Sequence, residues 1–242
     1  MPDRALLRLS GVHTHIGRYH ILQGVDLAVP EGGLTVLLGR NGAGKTTTLR
    51  TIMGLWRAAA GRVEFDGADI TALPTPQIAR LGIAYVPETM GVFAGLTVRE
   101  NMRLATASGR FHAGRLDEVF DLFPALRAKW DIAAGALSGG QKQMLAIGRA
   151  LVEPRRLLVI DEPTKGLAPG VIAHLTAAFQ RLKQSATTVL LVEQNFAMAR
   201  ALGDGVAVMD DGRIVHGGGM AALAADAALQ ARLLGLSLAS HQ

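Results

Sequence analysis

The sequence predicts an α/β protein in which a parallel sheet forms the core, an antiparallel β subdomain lies at the N-terminal end and an α-helical subdomain is inserted. Three observations predict this fold. Strand-like alternation runs over residues 5–66, and no strand-like run occurs between about residues 98 and 149. Short apolar runs then alternate with helical patterns, which is typical of a parallel sheet covered by helices.

Length and composition favour one folded domain and exclude some kinds of site. The 242 residues are 49% hydrophobic and 19% charged, which suffices for a sizeable core and argues against disorder. The chain has no cysteine, which excludes disulfides and thiolate metal sites. Its net charge of +5 suits an anionic ligand, an anionic membrane surface or nucleic acid. Because the charges are scattered rather than gathered in a basic arm, we expect no nucleic-acid partner.

The first elements are predicted to be antiparallel strands. Apolar and polar residues alternate around Leu7 and again over residues 25–29, and two glycines at the end of residues 31–33 supply a turn. Residues 34–38 are then predominantly apolar, as in a buried parallel strand, and a helix is predicted from residue 45 to about 53.

A glycine-rich loop between this strand and this helix fits the phosphate-binding pattern GxxxxGK[ST]. Its backbone N–H groups can wrap phosphates, Lys45 can reach the β- and γ-phosphates, and the Thr46 hydroxyl can coordinate Mg²⁺. We therefore predict ATP and Mg²⁺ as ligands. The predicted ATP-binding residues are Gly39, Arg40, Asn41, Gly42, Ala43, Gly44, Lys45, Thr46 and Thr47.

The later elements are predicted from the change in periodicity. Helical spacing marks residues 98–149 as a helical subdomain. Buried strands are predicted at 157–160, 189–192 and 206–209, with a helix at 171–183 between the first two. The Ala- and Leu-rich tail over 220–234 predicts one further helix.

The strand that begins at residue 157 ends in two adjacent carboxylates. Because side chains alternate along a strand, Asp161 and Glu162 are predicted to point different ways and to take different roles. Asp161 suits holding Mg²⁺, and Glu162 suits polarising the water that attacks the γ-phosphate. Many strands end in an Asp-Glu turn, so this interpretation depends on the phosphate loop that precedes it.

The segment LSGGQ at residues 137–141 precedes a predicted helix over 142–151. A serine and two glycines at a helix start can bind an anion through the hydroxyl, the free N–H groups and the helix dipole, although an ordinary N-cap is the commoner meaning. Its position between the phosphate loop and the acidic strand makes the segment more specific. The residues concerned are Leu137, Ser138, Gly139, Gly140 and Gln141.

Together these segments resemble the ABC ATPase family of P-loop NTPases over nearly the whole chain. GRNGAGKT resembles the family's Walker A loop, LLVIDEP its Walker B strand and LSGGQ its signature. The resemblance implies that two cassettes sandwich two nucleotides, so that the signature contacts the ATP of the partner subunit. We expect a single nucleotide-binding domain over 1–242, with an ATP-binding core and antiparallel β part at 1–86 and 152–242 and a helical signature subdomain at 89–150.

Three positions depart from the general family pattern: Glu88 stands where glutamine is usual, Ala168 where aspartate is usual and Gln194 where histidine is usual. These variants resemble the ATP-binding subunits of branched-chain amino acid importers. Glu88 can offer an oxygen to Mg²⁺, and Gln194 can hydrogen-bond the γ-phosphate, so an active ATPase is expected. The predicted catalytic residues are Glu162, Gln194 and Glu88, and the predicted Mg²⁺ ligands are Thr46, Asp161 and Glu88.

The adenine side of the site is predicted near Ile16 and Tyr19. Ile16 occupies the position where the family usually stacks an aromatic ring, so base recognition would rest on apolar contact. The neighbouring His13, His15 and His20 include an HxH pair that could chelate a metal, but nothing nearby completes the ligand set. We interpret them as surface or half-buried histidines.

The resemblance also implies partners. They are integral-membrane permease subunits, a second ABC ATPase subunit and, indirectly, a solute-binding protein; a heterodimer is expected, with a homodimer as the alternative. The longest apolar runs are far shorter than the roughly 20 residues of a membrane-spanning helix, and charges interrupt the first ten residues. We therefore expect a peripheral protein on the cytoplasmic face of the inner membrane.

The implied function is ATP hydrolysis that drives an importer for branched-chain or related small amino acids. Two alternatives stay open: a soluble ABC ATPase that acts outside transport, and an importer for urea or short-chain amides. Non-transport members of the family typically carry a coiled-coil insertion or two cassettes in tandem, whereas this sequence reads as one short cassette.

Overall fold

The computed structural model describes residues 4–112, 114–184 and 187–235. The predicted domain range also includes residues 1–3, 113, 185–186 and 236–242, which lie outside the described residues. The strands in the described part are β1 (Ala5–Ile16), β2 (Tyr19–Pro30), β3 (Leu34–Gly39), β4 (Ala58–Phe65), β5 (Ala68–Asp69), β6 (Ile83–Val86), β7 (Leu157–Asp161), β8 (Thr188–Val192), β9 (Gly205–Asp210) and β10 (Arg213–Gly219). The helices there are α1 (Lys45–Ile52), α2 (Thr75–Arg80), α3 (Val98–Leu104), α4 (Arg115–Leu122), α5 (Pro124–Ala128), α6 (Gly139–Leu151), α7 (Pro169–Leu182), α8 (Phe196–Leu202), α9 (Met220–Ala225) and α10 (Ala227–Leu234), with a 3-10 turn at Ala134–Ala136.

The N-terminal strands form an antiparallel sheet in the order β2-β1-β4-β5. Across β1 and β4, Leu7 pairs with Phe65 and Leu9 with Val63. All four side chains are buried, because alternation along each strand turns one face of the sheet towards the core. The predicted antiparallel β subdomain is confirmed.

A six-stranded sheet in the order β10-β9-β3-β8-β7-β6 forms the centre of the protein. The five strands from β9 to β6 are parallel, and β10 runs antiparallel at the edge. Every residue of β7 and β8 is buried, as expected for parallel strands that are covered on both faces. The predicted parallel core is therefore confirmed.

The two faces of this sheet contact different layers. Val36 and Leu38 of β3 pack into an apolar core that includes Leu145 of α6 and Leu175 of α7. Leu37, between them in sequence, packs on the opposite side with residues of the antiparallel sheet and of α1. Alternate side chains of β3 thus join the helices to one face and the antiparallel sheet to the other.

The segment predicted to be helical contains α3 to α6. At the start of α3, the Thr97 hydroxyl accepts a hydrogen bond from the backbone of Glu100, whose carboxylate accepts one from the Thr97 backbone at 2.8 Å. Ser138 and Gln141 make the same reciprocal arrangement at the start of α6. Such capping boxes fix where each helix begins. The helical subdomain predicted from periodicity is confirmed.

Several elements differ from the sequence prediction, among them the C-terminal tail and strands β6 and β10. The tail forms two helices rather than one, because the side chain of Asp226 caps α10 by accepting a hydrogen bond from Leu229 N at 2.8 Å. Strand β6 was not predicted, since Ala84 and the half-buried Tyr85 interrupt the run of large apolar residues that marks the other parallel strands. Strand β10 was not predicted either, because its glycine-rich end lies at the sheet edge with little apolar burial.

None of the helices in the described ranges combines the length and the apolar character that crossing a membrane requires. The helices instead pack their apolar residues on the sheet or on one another.

The strand order brings four predicted site segments to one edge. The phosphate loop follows β3, Asp161 ends β7, Gln194 follows β8, and Glu88 follows β6. Because β3, β8, β7 and β6 are adjacent and parallel, their carboxyl ends lie side by side. This edge of the sheet is where ligand-binding groups gather in open α/β folds.

Candidate functional site

The phosphate loop is held by its own lysine. Lys45 is buried, and its Nζ donates to the carbonyl oxygens of Gly39 at 2.9 Å and Arg40 at 3.0 Å. The N-terminus of α1 has no side-chain cap, which leaves backbone N–H groups at the loop for an anionic ligand. The loop therefore has the form of a phosphate cradle before any ligand is considered.

Gly39 at the end of β3 is required by packing. Its φ is +151°, and a Cβ atom there would lie 2.3 Å from the carbonyl oxygen of Met209 in β9. No side chain fits that space, so the loop leaves the sheet by a path that only glycine allows.

Asp161 faces the first turn of α1. Its Oδ1 accepts a hydrogen bond from the Thr46 hydroxyl at 3.1 Å, and its Oδ2 accepts one from the Tyr85 hydroxyl at 3.3 Å. Burial raises the pKa of Asp161, and the charges of Glu162 and Glu88 add to that effect. Burial and the charge of Asp161 likewise raise the pKa of Tyr85 to about 12, so this phenol remains a donor.

Glu162 points to a different partner. Its Oε1 lies 3.3 Å from Lys45 Nζ, and both side chains are less than a tenth exposed. Its backbone has φ +44°, in the left-handed region that non-glycine residues seldom adopt. Strand alternation and this turn together separate the two acids, as the sequence predicted, so that Asp161 meets Thr46 while Glu162 meets the phosphate-loop lysine.

Glu88 forms an ion pair in the same site with Lys165, a residue for which the sequence predicted no role. Lys165 Nζ lies 2.6 Å from Glu88 Oε1 and 3.7 Å from Glu162 Oε2. The contact with Glu88, and then the charge of Glu162, raise the pKa of Lys165. The signal in the sequence was the position of Lys165 three residues after Glu162, in the turn that follows β7.

A cavity of about 330 Å³ lies between these groups. Its lining includes the loop residues Gly42, Gly44 and Lys45 and the two acids Glu88 and Glu162. The side-chain atoms that could coordinate a metal here are all oxygens: the Thr46 hydroxyl and the carboxylates of Asp161 and Glu88. Hard oxygen ligands of this kind fit Mg²⁺.

Gln194 lies beside the phosphate loop. Its Nε2 donates to Asn41 Oδ1 at 2.8 Å, and both residues line a second cavity, of about 340 Å³, together with Arg40 and Phe196. The structure thus brings Gln194 to the loop, as the sequence predicted, with its amide bound to an asparagine 153 positions away.

Glu193 is a buried acid that the sequence analysis left without a role. It accepts hydrogen bonds from the Thr164 hydroxyl at 2.8 Å and from the backbone N–H groups of Gln194 at 3.0 Å and Asn195 at 3.1 Å. It is 1% exposed, and burial raises its pKa. Glu193 thereby joins the turn after β7 to the turn after β8. The signal in the sequence was that Glu193 directly follows an apolar strand, much as Asp161 ends one.

The LSGGQ segment forms an exposed helix start. The Ser138 hydroxyl accepts a hydrogen bond from Gln141 N at 3.3 Å, while Gly140 packs so closely that a Cβ there would lie 2.6 Å from Val171 Cγ1. Ser138 and Gly139 are exposed, and neither lines the cavity at the phosphate loop of the same chain. A ligand held by this segment would therefore lie outside that cavity.

The residues predicted for the adenine side do not line the phosphate cavity. Tyr19 is 61% exposed with the Arg18 guanidinium over its ring, and Ile16 is half-buried. From strand β2 it is Ile21 that lines the cavity. Ile16 pairs with Tyr19 at the end of the β1–β2 hairpin, two residues before Ile21 along β2.

The three histidines lie together on the β1–β2 hairpin. His13 Nδ1 is 3.0 Å from His20 Nε2, and the rings of His15 and His20 stack with centroids 4.2 Å apart. Within the ranges that the structure describes, no three or more His, Asp or Glu side chains converge to hold a metal ion.

Comparison with known proteins identifies close relatives of this arrangement. A family model described as ABC transporter matches residues 22–165. BraG of Pseudomonas aeruginosa, a high-affinity branched-chain amino acid transport ATP-binding protein, is 41% identical over 225 residues, covering 90% of this chain and 95% of BraG. LivF of Archaeoglobus fulgidus, a probable branched-chain amino acid transport ATP-binding protein, is 38% identical, covering 88% of this chain and 92% of LivF.

Solved structures show the same fold. The ADP conformation of an ATP-binding cassette of an ABC transporter superposes with a TM-score of 0.81 and 27% identity, covering 97% of this chain and all of that one. A nucleotide-free cassette gives a TM-score of 0.80 and 26% identity over the same share of each chain.

Proposed function

Since the chain belongs to the ABC transporter family of ATP-binding proteins, we propose that it is the ATP-hydrolysing motor subunit of an importer for branched-chain or related small amino acids. The observation that carries the proposal is that Lys45 and Glu162 line one cavity at the carboxyl ends of adjacent strands, while Asp161 accepts a hydrogen bond from Thr46, which lines the same cavity. Phosphoryl transfer to water requires a phosphate-binding loop, a metal ligand and a general base.

In the proposed reaction, Glu162 accepts a proton from the water that attacks the γ-phosphorus, and ADP leaves with the bridging oxygen. Lys45 and the N–H groups of the phosphate loop hold the phosphates. Thr46, Asp161 and Glu88 would hold Mg²⁺, which when bound supplies neutralising charge to the phosphate oxygens. Gln194 is proposed to hydrogen-bond the γ-phosphate from the turn after β8.

The second half of each site is proposed to come from another cassette. Ser138 and Gly139 are exposed at a helix start, away from the phosphate cavity of their own chain. A helix start with an available hydroxyl and N–H groups suits a phosphate that is presented from outside. The nucleotide would therefore be held between two cassettes, and hydrolysis would require both.

The proposed partners are integral-membrane permease subunits on the cytoplasmic face of the membrane and a sister ATPase, with a solute-binding protein acting on the permease. The proposed division places the ATP-binding core at 1–86 and 152–242 and the signature subdomain at 89–150. Isolating the intact complex and measuring its subunit stoichiometry tests the heterodimer. Two copies of this chain without a second ATPase would contradict it.

The proposed substrate class is supported by the names of the relatives, since BraG and LivF are both described as branched-chain amino acid transport proteins. The test is reconstitution of the complete transporter in vesicles, with leucine, isoleucine and valine compared with urea and a short-chain amide. We expect ATP hydrolysis and uptake to be stimulated by the amino acids, and both to be abolished by Lys45→Ala. Stimulation by urea or amide alone would contradict the substrate assignment and leave the ATPase assignment intact.

A further inference from the structure

Four charged side chains form a continuous series across the phosphate cavity. Lys45 Nζ lies 3.3 Å from Glu162 Oε1, Glu162 Oε2 lies 3.7 Å from Lys165 Nζ, and Lys165 Nζ lies 2.6 Å from Glu88 Oε1. The series joins the phosphate loop, the turn after β7 and the turn after β6. Lys165 is the member to which the proposed reaction gives no role.

The two ends of the series differ in exposure. Lys45 and Glu162 are 4% and 8% exposed, whereas Lys165 and Glu88 are 55% and 39% exposed. A solvent-facing ion pair of this kind contributes little net stability, so a competing cation can displace it. The lysine is also tethered in place, because its backbone N–H donates to the carbonyl oxygen of Glu162 at 3.2 Å.

The positive charge of Lys165 lies beside two negatively charged carboxylates. Glu88 and Glu162 both line the cavity, and Lys165 lies within 4 Å of a carboxylate oxygen of each. A divalent cation that enters the site gains from that charge, and the ammonium of Lys165 reduces the gain and occupies an oxygen of Glu88.

We propose that Lys165 is a positioning residue that pairs with Glu88 and thereby raises the Mg²⁺ concentration at which the site assembles around ATP. The inference rests on the proposed function, because it takes Glu88 as a ligand of Mg²⁺. It adds a residue of this chain that sets how readily that ligand becomes available.

The test compares Lys165→Met with Lys165→Arg, which keeps the charge, in the full-length chain. The matched control is Lys183→Met, since Lys183 forms a 2.7 Å ion pair with Asp204 at the other end of β3, where Asp204 accepts from Leu34 N. Binding of a fluorescent, non-hydrolysable ATP analogue is measured as Mg²⁺ is titrated, and Mn²⁺ bound to the complex is counted independently by electron paramagnetic resonance.

We expect Lys165→Met to lower the half-saturating Mg²⁺ concentration by about 3- to 5-fold, the range of a screened surface pair. Lys165→Arg and Lys183→Met should keep the parental midpoint. Glu88→Gln should raise the midpoint, and Lys165→Met added to Glu88→Gln should cause no further shift, because the lysine then has no carboxylate to withhold.

A parental midpoint in Lys165→Met would overturn the inference. So would weaker analogue binding at saturating Mg²⁺ with an unchanged midpoint, since that result assigns Lys165 to the phosphates instead of to Glu88. Failure of the parent chain to bind the analogue at any Mg²⁺ concentration would be a different result, because it contradicts the proposed function itself.

Discussion

Lys45 Nζ and Glu162 Oε1 lie 3.3 Å apart, and both side chains are almost wholly buried. The cation proposed to bind phosphate and the carboxylate proposed to activate water are therefore paired with each other. In the proposed reaction, the phosphates of ATP offer Lys45 a stronger anionic partner, and Glu162 is then released to face water. Binding and preparation of the base are thus coupled through one contact.

Glu162→Gln is expected to keep ATP binding and to lose turnover. The amide preserves the size of the side chain but cannot accept the proton from water, so hydrolysis should fall by about 10²- to 10⁴-fold. ATP affinity should hold or increase, because the carboxylate that competes for Lys45 is gone. Phosphate release and analogue binding measure the two effects.

The control for this variant is Glu118→Gln on α4, where Glu118 is 62% exposed and pairs with Arg115. That change should leave turnover at the parental value. Parental turnover in Glu162→Gln would show that another group activates the water.

Lys45→Ala is expected to weaken ATP binding, whereas Ser138→Ala is expected to slow hydrolysis. Loss of the lysine removes charge-assisted hydrogen bonds to phosphate, each worth about 1.5–3 kcal/mol, so affinity of the single chain should fall by at least about tenfold. Loss of the exposed Ser138 hydroxyl should leave that affinity unchanged and reduce hydrolysis in the assembled transporter. Equal loss of single-chain affinity in both variants would refute a site divided between two cassettes.

Local patterns predicted the parts of the site that are continuous in sequence. The phosphate loop was predictable because an apolar strand, glycines at fixed positions and a helix follow one another within residues 34–52. Contacts between distant segments were not predictable in this way: Lys165 meets Glu88 across 77 positions. The strand order that places β6 beside β7 decides that contact, and strand order is not evident from local patterns.

Two further features were missed, one for a local reason and one for a tertiary reason. The apolar tail was predicted as one helix, but Asp226 accepts from Leu229 N and begins a second helix, a signal that the composition of the tail obscured. Glu193 was left without a role because its donors are not evident from sequence. One of them, Thr164, lies 29 positions away on the turn that follows β7.

Glu193→Gln should change how stability depends on pH. Burial raises the pKa of Glu193 above its ordinary value of 4.5, so the folded chain retains this proton at a pH where the unfolded chain has lost it. The contribution of Glu193 to stability is then full below the unfolded pKa and declines as pH rises through the higher folded pKa.

The melting temperatures of the parent and of Glu193→Gln, measured from pH 4.5 to 8, give the test. The melting temperature of the parent should exceed that of Glu193→Gln most at pH 4.5, and the difference should become smaller as pH rises. In a chain of this size, a difference of about 2–4 °C corresponds to about 1 kcal/mol. A difference that stays constant or widens with pH would contradict the direction of the shift.

Gln194 is expected to contribute to hydrolysis rather than to binding. Its Nε2 donates one hydrogen to Asn41 Oδ1 at 2.8 Å, so the amide lies against the phosphate loop. The amide nitrogen carries two hydrogens, so the second can donate to the γ-phosphate while the contact with Asn41 is kept. Because a hydrogen bond to a charged group is worth about 1.5–3 kcal/mol, Gln194→Ala should slow hydrolysis by roughly 10- to 100-fold at unchanged ATP affinity.

The pH profile separates this role from a purely structural one. Glutamine does not titrate, so the contribution of Gln194 should be flat with pH, whereas Gln194→His should retain activity and acquire a pH dependence between roughly 6 and 7, near the ordinary histidine pKa. Gln194→Glu keeps the size of the side chain but replaces the donor with a charge that repels phosphate, so it should be as slow as Gln194→Ala or slower.

The measurement is steady-state hydrolysis in the assembled transporter from pH 6 to 8.5, with analogue binding followed in parallel. Hydrolysis by Gln194→Ala at the parental rate across that range would show that this side chain serves only the turn after β8 and its contact with Asn41.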